Sequence, residues 1–261
     1  MTPEATAEAA SILLSNWRAV PRVAARAQSC RPASRADGYA IAASLSEQSG
    51  DAVAGWKIAA TSEAGQKHIN VDGPLAGRIL AHRVLAPGAT IPLAGNLMQV
   101  AEAEFAFVLG TAMPDRGTPY RSEEVMAAVT AMHLSIEVPD SRYEDFTKVG
   151  APSLIADTAC ASWLAVGPEV DVDWRGIDLS THRVTAFRNG AQAAVGSGKA
   201  VLGDPRIALT WLVNEVARHG HGVEAGQFVT TGTCVVPVKI ESGDTIVADY
   251  GVLGTIAVAI G

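Results

Sequence analysis

Cysteine is scarce in this chain. The three residues, Cys30, Cys160 and Cys234, are odd in number and far apart, which excludes a disulfide framework and a cysteine zinc site. They read as reduced thiols of a cytoplasmic protein. Positive charge is also short. Lys and Arg total 20 against 27 Asp and Glu, a net charge of −7, so the basic stripe that nucleic acid requires is missing. No apolar run approaches the roughly 20 residues of a membrane span, so no membrane partner is expected. Met1-Thr2-Pro3-Glu4 lacks the basic start of a signal peptide. Internal repeats and low-complexity segments are absent beyond a mild alanine bias. What is abundant is apolar: 48% hydrophobic residues with 18% charged ones excludes disorder and provides for a substantial core.

The first 50 residues are alanine-rich and helical in pattern. Thr2 can cap a helix with Pro3 at its first position, and Ala9, Ile12, Leu13, Trp17 and Val20 recur at helical spacing until Pro21 interrupts them. Ser34 with Asp37 forms a capping-box-like start, Ile41 and Leu45 continue that helix, and Ser49-Gly50 ends it. Val53 to Ala59 then reads as a strand. Met98 to Leu109 is a long apolar stretch broken by two carboxylates. A helix is predicted from Ser122, as its cap, to Leu134, followed by a strand to Val138. Asp204-Pro205 opens a helix whose apolar face is predicted to carry Ile207, Ala208, Trp211, Leu212 and Val216, closed by His219-Gly220. Short β-rich runs follow from Gln227. Strands and helices do not alternate regularly, so the expected class is α+β. The expected division is a helical N-terminal region over 1–52 and a β-rich catalytic domain over 53–261.

Chemistry gathers around three acids. Glu102 and Glu104 stand two apart in a strand-like segment, so both point to one face. Like charges held that close repel and need a proton, basic side chains or a divalent cation. Glu137 lies in a later apolar strand, reached by a strand–helix–strand excursion that can return it beside the pair. Three carboxylates without His or Cys suit a hard cation, Mg²⁺ first, with Mn²⁺ or Ca²⁺ as alternatives. The competing reading is a solvated strand face with Glu137 paired to Arg142. Lys57, alone in the apolar run Gly55-Trp56-Lys57-Ile58-Ala59, is either a snorkelling edge lysine or a desolvated proton carrier with a lowered pKa.

These segments resemble a known family. Gly55-Trp56-Lys57-Ile58 with Thr61-Ser62, then Gln66, Val71-Asp72-Gly73-Pro74 and Gly77, resemble the lysine segment of the 2-keto-4-pentenoate hydratase/4-oxalocrotonate decarboxylase family, within the fumarylacetoacetate hydrolase superfamily. Glu102-Ala103-Glu104-Phe105-Ala106, Ser135-Ile136-Glu137-Val138 with Asp140-Ser141-Arg142, Leu202-Gly203-Asp204-Pro205 with Trp211-Leu212, and Thr230-Thr231-Gly232 follow in the family's order, covering roughly 53–261. The resemblance implies a small helical region followed by a β-rich roll. It implies Glu102, Glu104 and Glu137 as Mg²⁺ ligands, Lys57 and Asp72 as catalytic residues, and Cys160, Thr231 and Gly232 at the substrate. It further implies a small 2-keto or 2-hydroxydienoic acid substrate and a homo-oligomer, associated in some members with a pathway enzyme. The expected activity is hydration of a 2-hydroxy-2,4-dienoate in aromatic or related catabolism; the alternative is a 2-keto acid decarboxylase, or a C–C hydrolase or tautomerase of the same superfamily. Three positions depart from the pattern: Ala59 replaces a glycine, Thr158 an asparagine and Cys160 a serine. Substrate identity and reaction type turn on the last two.

Other signals are weaker. Gly196-Ser197-Gly198-Lys199 is no phosphate loop, because Ala193 and Ala200 stand where Gly and Ser/Thr are required; a turn beside the substrate or a hairpin fits better. No G-x-S-x-G is present, which leaves a serine hydrolase unsupported. His68, near the lysine strand, is a candidate water-activating base. His219 and His221 read as surface residues complementing a helix end, and Cys160 and Cys234 as small buried apolar groups.

Overall fold

The computed structural model describes residues 1–18, 22–24 and 30–261; the predicted positions Val20 and Pro21 lie outside the described residues. In chain order the elements are α1 (Pro3–Arg18), α2 (Arg35–Ser49), β1 (Val53–Ala59), α3 (Glu63–His68), β2 (Leu75–Leu80), β3 (Val84–Leu85), β4 (Thr90–Ile91), β5 (Val100–Leu109), α4 (Ser122–Ala128), β6 (Val129–Val138), α5 (Gly150–Ala156), β7 (Trp163–Glu169), β8 (Arg183–Arg188), β9 (Ala191–Ser197), α6 (Pro205–Arg218), β10 (Phe228–Thr233), β11 (Val238–Lys239), β12 (Thr245–Asp249) and β13 (Thr255–Ile260). The class is α+β, as expected. No helix among the described residues is long and apolar enough to cross a membrane.

Local signals set the helix ends. Ser34 accepts from Asp37 N while Asp37 accepts from the Ser34 backbone, a reciprocal capping box, and Gly50 closes α2 in the left-handed region. α1 and α2 bury Ala9, Leu13, Ile41 and Leu45 together. On α2, Gly38 lets the helix touch α5: a Cβ there would stand 2.5 Å from the Pro152 carbonyl oxygen. Asp204 caps α6, with Pro205 in its first turn.

Two expectations are corrected. The predicted Ser122–Leu134 helix stops at Ala128, and Val129 onward is strand. Val129 and Thr130 are β-branched, and pairing with β5 outweighs the apolar periodicity that suggested a helix. Arg121, not Ser122, is the cap residue there, and the Ser122 hydroxyl bonds Thr210 instead. The buried face of α6 is Ala208, Leu209, Leu212, Val213 and Val216, while Ile207 is 52% exposed.

Strands form an eight-stranded sheet in the order β2-β1-β10-β5-β6-β7-β3, with β11 also on β5, and a five-stranded sheet in the order β4-β13-β12-β8-β9. The Tyr250 hydroxyl, at the end of β12, donates to the Glu104 carbonyl at 3.0 Å, and its ring meets Phe105 edge-on. The smaller sheet is thus fastened to the middle of the larger one, at the strand that bears the acids.

Candidate metal centre and active-site cavity

β5 and β6 are antiparallel neighbours, and their register sets Glu102 opposite Glu137 and Glu104 opposite Ser135. Period-two alternation turns Glu104 to the same face as Glu102. The three carboxylates therefore converge, with ligand oxygens all within 4.8 Å of one another. Glu104 and Glu137 are 0% and 1% exposed, and Glu102 is half-buried. Lys57 joins them from β1, two strands away through β10. Its Nζ lies 3.2 Å from Glu137 Oε1 and donates to the Ala159 carbonyl at 3.0 Å. The alternative pairing is thereby removed, because Arg142 engages Asp157 rather than Glu137.

One ammonium cannot balance three carboxylates, two of them buried and the third half-buried. Burial pushes Glu104 well above the carboxylate range, with Glu137 and Glu102 adding repulsion. Glu102 and Glu137 are raised by burial too, against the pull of Lys57. For Lys57, burial acts downward, but Glu137, Glu102 and Glu104 outweigh it and hold the ammonium above its ordinary range. The lowered pKa predicted for this lysine is corrected accordingly: its surroundings are more acidic than apolar. Glu104 Oε1 and Glu137 Oε2 are buried and accept no hydrogen bond among the described residues. An all-oxygen donor set with unmatched oxygens and excess negative charge fits a hard divalent cation.

Two backbone features complete the cluster. Gly232 N donates to Glu104 Oε2 at 3.0 Å. Its φ is +102°, and a Cβ would stand 2.5 Å from Thr61 Oγ1, so only glycine delivers that N–H. Thr158, Ala159 and Cys160 are all left-handed, with φ of 52°, 51° and 61°. Such a conformation costs about 1–2 kcal/mol per residue. Arg142 holds it, donating to the Asp157 carboxylate and carbonyl, to Thr158 Oγ1 and to the Ala161 carbonyl. The strained turn aims the Ala159 carbonyl at Lys57.

The cluster opens into a cavity of about 500 Å³ whose walls include Lys57, Glu102, His68, Phe146, Cys160 and Gly196. Cys160 lines the cavity too, and burial pushes its thiol up to about 12, so it stays protonated. His68 also lines the cavity, edge-on to Phe146. Gly196, at the end of β9, fits the reading of a turn beside the cavity. Other predicted residues lie elsewhere. Thr231 is buried and donates to the Phe105 carbonyl at 3.1 Å, serving the sheet. Asp72 has a side chain 84% exposed and pairs with Arg35 at 2.8 Å, outside the cavity lining; the Gly73-Pro74 turn carries it toward α2. His219 is not a plain surface residue: it stacks on Tyr39 at 4.5 Å and lies 3.6 Å from Glu215. Sequence reasoning missed the Ala159 carbonyl, the Arg142–Asp157 clasp and Phe146. Of these, Arg142 alone gave a signal, in the matched Asp140-Ser141-Arg142 segment.

No protein-family model matches the chain. The chain is 31% identical over 225 residues to 4-oxalocrotonate decarboxylase of Pseudomonas putida, covering 85% of this chain and 84% of that one. It is 31% identical over 212 residues to 2-keto-4-pentenoate hydratase of Burkholderia vietnamiensis, covering 81% and 79%. Among solved structures, 4-oxalocrotonate decarboxylase from Pseudomonas putida G7, complexed with magnesium and adipate, superposes with a TM-score of 0.88 at 26% identity over 100% of this chain and 99% of that one.

Proposed function

The chain belongs to the 2-keto-4-pentenoate hydratase and 4-oxalocrotonate decarboxylase family, and on that premise we propose that it is a divalent-metal-dependent hydratase. It adds water to a 2-hydroxy-2,4-dienoate to give a 4-hydroxy-2-keto acid. The observation that carries the reading is the convergence of Glu102, Glu104 and Glu137 within 4.8 Å beside Lys57, with unmatched oxygens at the acidic end of an otherwise apolar cavity.

In this reading the three carboxylates hold Mg²⁺, with Mn²⁺ or Ca²⁺ as alternatives. Held there, such a cation would supply Lewis acidity to the substrate's oxygens and would offset the negative charge that keeps Lys57 an ammonium. Lys57, neutral once that charge is offset and steadied by the Ala159 carbonyl, takes the proton of the 2-hydroxyl and returns it to carbon 5; this leaves a C3=C4 double bond conjugated with the new keto group, and water adds across it, its hydroxyl at carbon 4 and its proton at carbon 3. His68 is the residue proposed to orient that water. Gly232 keeps Glu104 in register through its N–H. Cys160 packs against the substrate as a neutral thiol.

The cavity lining favours hydration over decarboxylation. Its apolar residues include Ile69, Met98, Val100, Phe146 and Val195, and the basic side chains on the described wall are Lys57 and His68. A substrate with a second carboxylate would bury that charge without an arginine, at a cost of several kcal/mol. An uncharged dienoate tail fits. The proposed enzyme works in the cytoplasm, as a homo-oligomer; Cys160 and Cys234, buried free thiols, are in keeping with a reducing compartment. The test is a paired assay on 2-hydroxypenta-2,4-dienoate and 4-oxalocrotonate, each with Mg²⁺ and with excess EDTA. Faster hydration of the monoacid, lost in EDTA, is expected. Preferential CO₂ release from the diacid, or activity undiminished by EDTA, would overturn the assignment.

A further inference from the structure

A second cavity, of about 220 Å³, shares no lining residue with the first; Asp140 and Ser162 are on its wall. Three arginines line it, Arg22, Arg83 and Arg142, and one acid, Asp140. Two of the cations are matched: Arg22 pairs with Asp140 at 2.6 Å, and Arg142 with Asp157. Arg83 has no carboxylate partner among the described residues, and the segments outside the description, 19–21 and 25–29, contain no Asp or Glu.

Arg83 is nonetheless held firmly. Its guanidinium carbon lies 4.9 Å from the Trp17 ring centroid and 4.5 Å from that of Trp163. Its Nε donates to His82 Nε2 at 2.9 Å, and His82 Nδ1 meets Asp51 Oδ2 at 2.6 Å. That chain fixes the imidazole as an acceptor toward Arg83. The two Nη groups remain without a protein partner among the described residues. The Trp17 indole nitrogen, on the same cavity, is buried and likewise unmatched. Burial, with Arg142 nearby, pushes the guanidinium down to about 10, as for a cation lacking its counter-charge.

We propose that this cavity is a receptor for one carboxylate group, held end-on by the Arg83 Nη1/Nη2 fork between the two indoles. The planar fork matches a carboxylate bidentately. One uncompensated positive charge, with Asp140 close by, selects a monoanion over a phosphate dianion. The carboxylate belongs either to a free small acid or to an Asp or Glu side chain of a second copy of this chain.

The experiment titrates the full-length protein with sodium acetate against sodium chloride at matched ionic strength, reading tryptophan emission, with mass measured in parallel by sedimentation. A saturable acetate response, lost in Arg83→Gln and at least about tenfold weaker in Arg83→Lys, supports a free acid. No acetate response, but a smaller mass for both variants than for the parent, supports the second copy. Arg83→Lys keeps the charge and guards against a fold lost in the glutamine variant. An equal response to chloride, acetate binding unchanged in Arg83→Lys, or neither a response nor a change of mass overturns the proposal.

Discussion

Two clusters of buried charge flank the Pro139–Asp140 segment. Around Arg142 all five guanidinium N–H groups are used: on Asp157 through its carboxylate and carbonyl, on Thr158, and on the carbonyls of Asp140 and Ala161. Asp157 also receives Ser141 Oγ and Arg142 N. Around Glu137 the accounting fails: three carboxylates face one ammonium, and two buried carboxylate oxygens accept nothing among the described residues. Burial is nearly the same in both clusters, so burial alone does not distinguish their roles. Satisfaction does. The matched cluster fixes a backbone turn, and the unmatched one keeps lone pairs for a ligand. They meet at the Ala159 carbonyl, which the first cluster positions and Lys57 of the second uses.

The contrast breaks most easily at Glu104. Glu104→Gln should lower turnover roughly 10⁴-fold, since several kcal/mol of charge stabilisation would be lost at about 1.4 kcal/mol per decade. Calorimetric Mg²⁺ binding should weaken with it. Thermal stability without added metal should hold or rise, because one of three repelling buried charges is gone. A melting point that drops instead would show the carboxylates to be mutually supported, and the contrast would fail.

Arg142→Met should do the reverse. Losing one partner of a buried pair strands Asp157 and should cost about 3 kcal/mol, measured by urea unfolding. Released from its clasp, the left-handed turn should relax and move the Ala159 carbonyl off Lys57. kcat should then fall with little change in Mg²⁺ affinity. Arg142→Lys should rescue neither, because one ammonium cannot serve five acceptors in that plane. Loss of Mg²⁺ binding in parallel with kcat would mean that the two clusters act as one.

The same distinction explains what could be read in advance. Ser34 with Asp37, Gly50, and Asp204-Pro205 act within one helical turn, so the ends of α2 and α6 were legible. The acids were legible because strand alternation forces Glu102 and Glu104 to one face, and a buried like-charge pair demands an explanation. Arg142 was visible, but the one partner considered for it, in the competing reading, was Glu137, because sequence proximity favours the nearer acid whereas a bend in the chain delivers Asp157. The left-handed turn was invisible: Thr, Ala and Cys carry no preference for positive φ, and tertiary contacts impose it. Asp72 was misplaced for a related reason, since a matched motif carries residue identity but not the path of the exposed turn that hands it to Arg35.

A third set of charges, between α2, β2 and the end of α6, is intermediate in burial and sharpens the contrast at lower energy. Burial, with Arg78 and then His219 adding, lowers His221 to about 4. Facing groups are Arg78 on β2, Tyr39 on α2 at 6.3 Å between ring centroids, and His219 with Glu215 on α6; Glu215 also accepts from Tyr39 and Arg35. A histidine whose folded pKa lies below its unfolded value binds fewer protons when folded. Its contribution is therefore complete above about pH 6.5 and is lost as pH falls through about 4. The ring is only half-buried, so solvent screening reduces the effect to about 1 kcal/mol. His221→Phe should match the parent in unfolding free energy at pH 7 and exceed it by that amount at pH 4.5. Comparing the two proteins at each pH cancels the opposite-signed titration of the distant carboxylates. Parallel profiles across this window would place the acid sensitivity at groups other than His221.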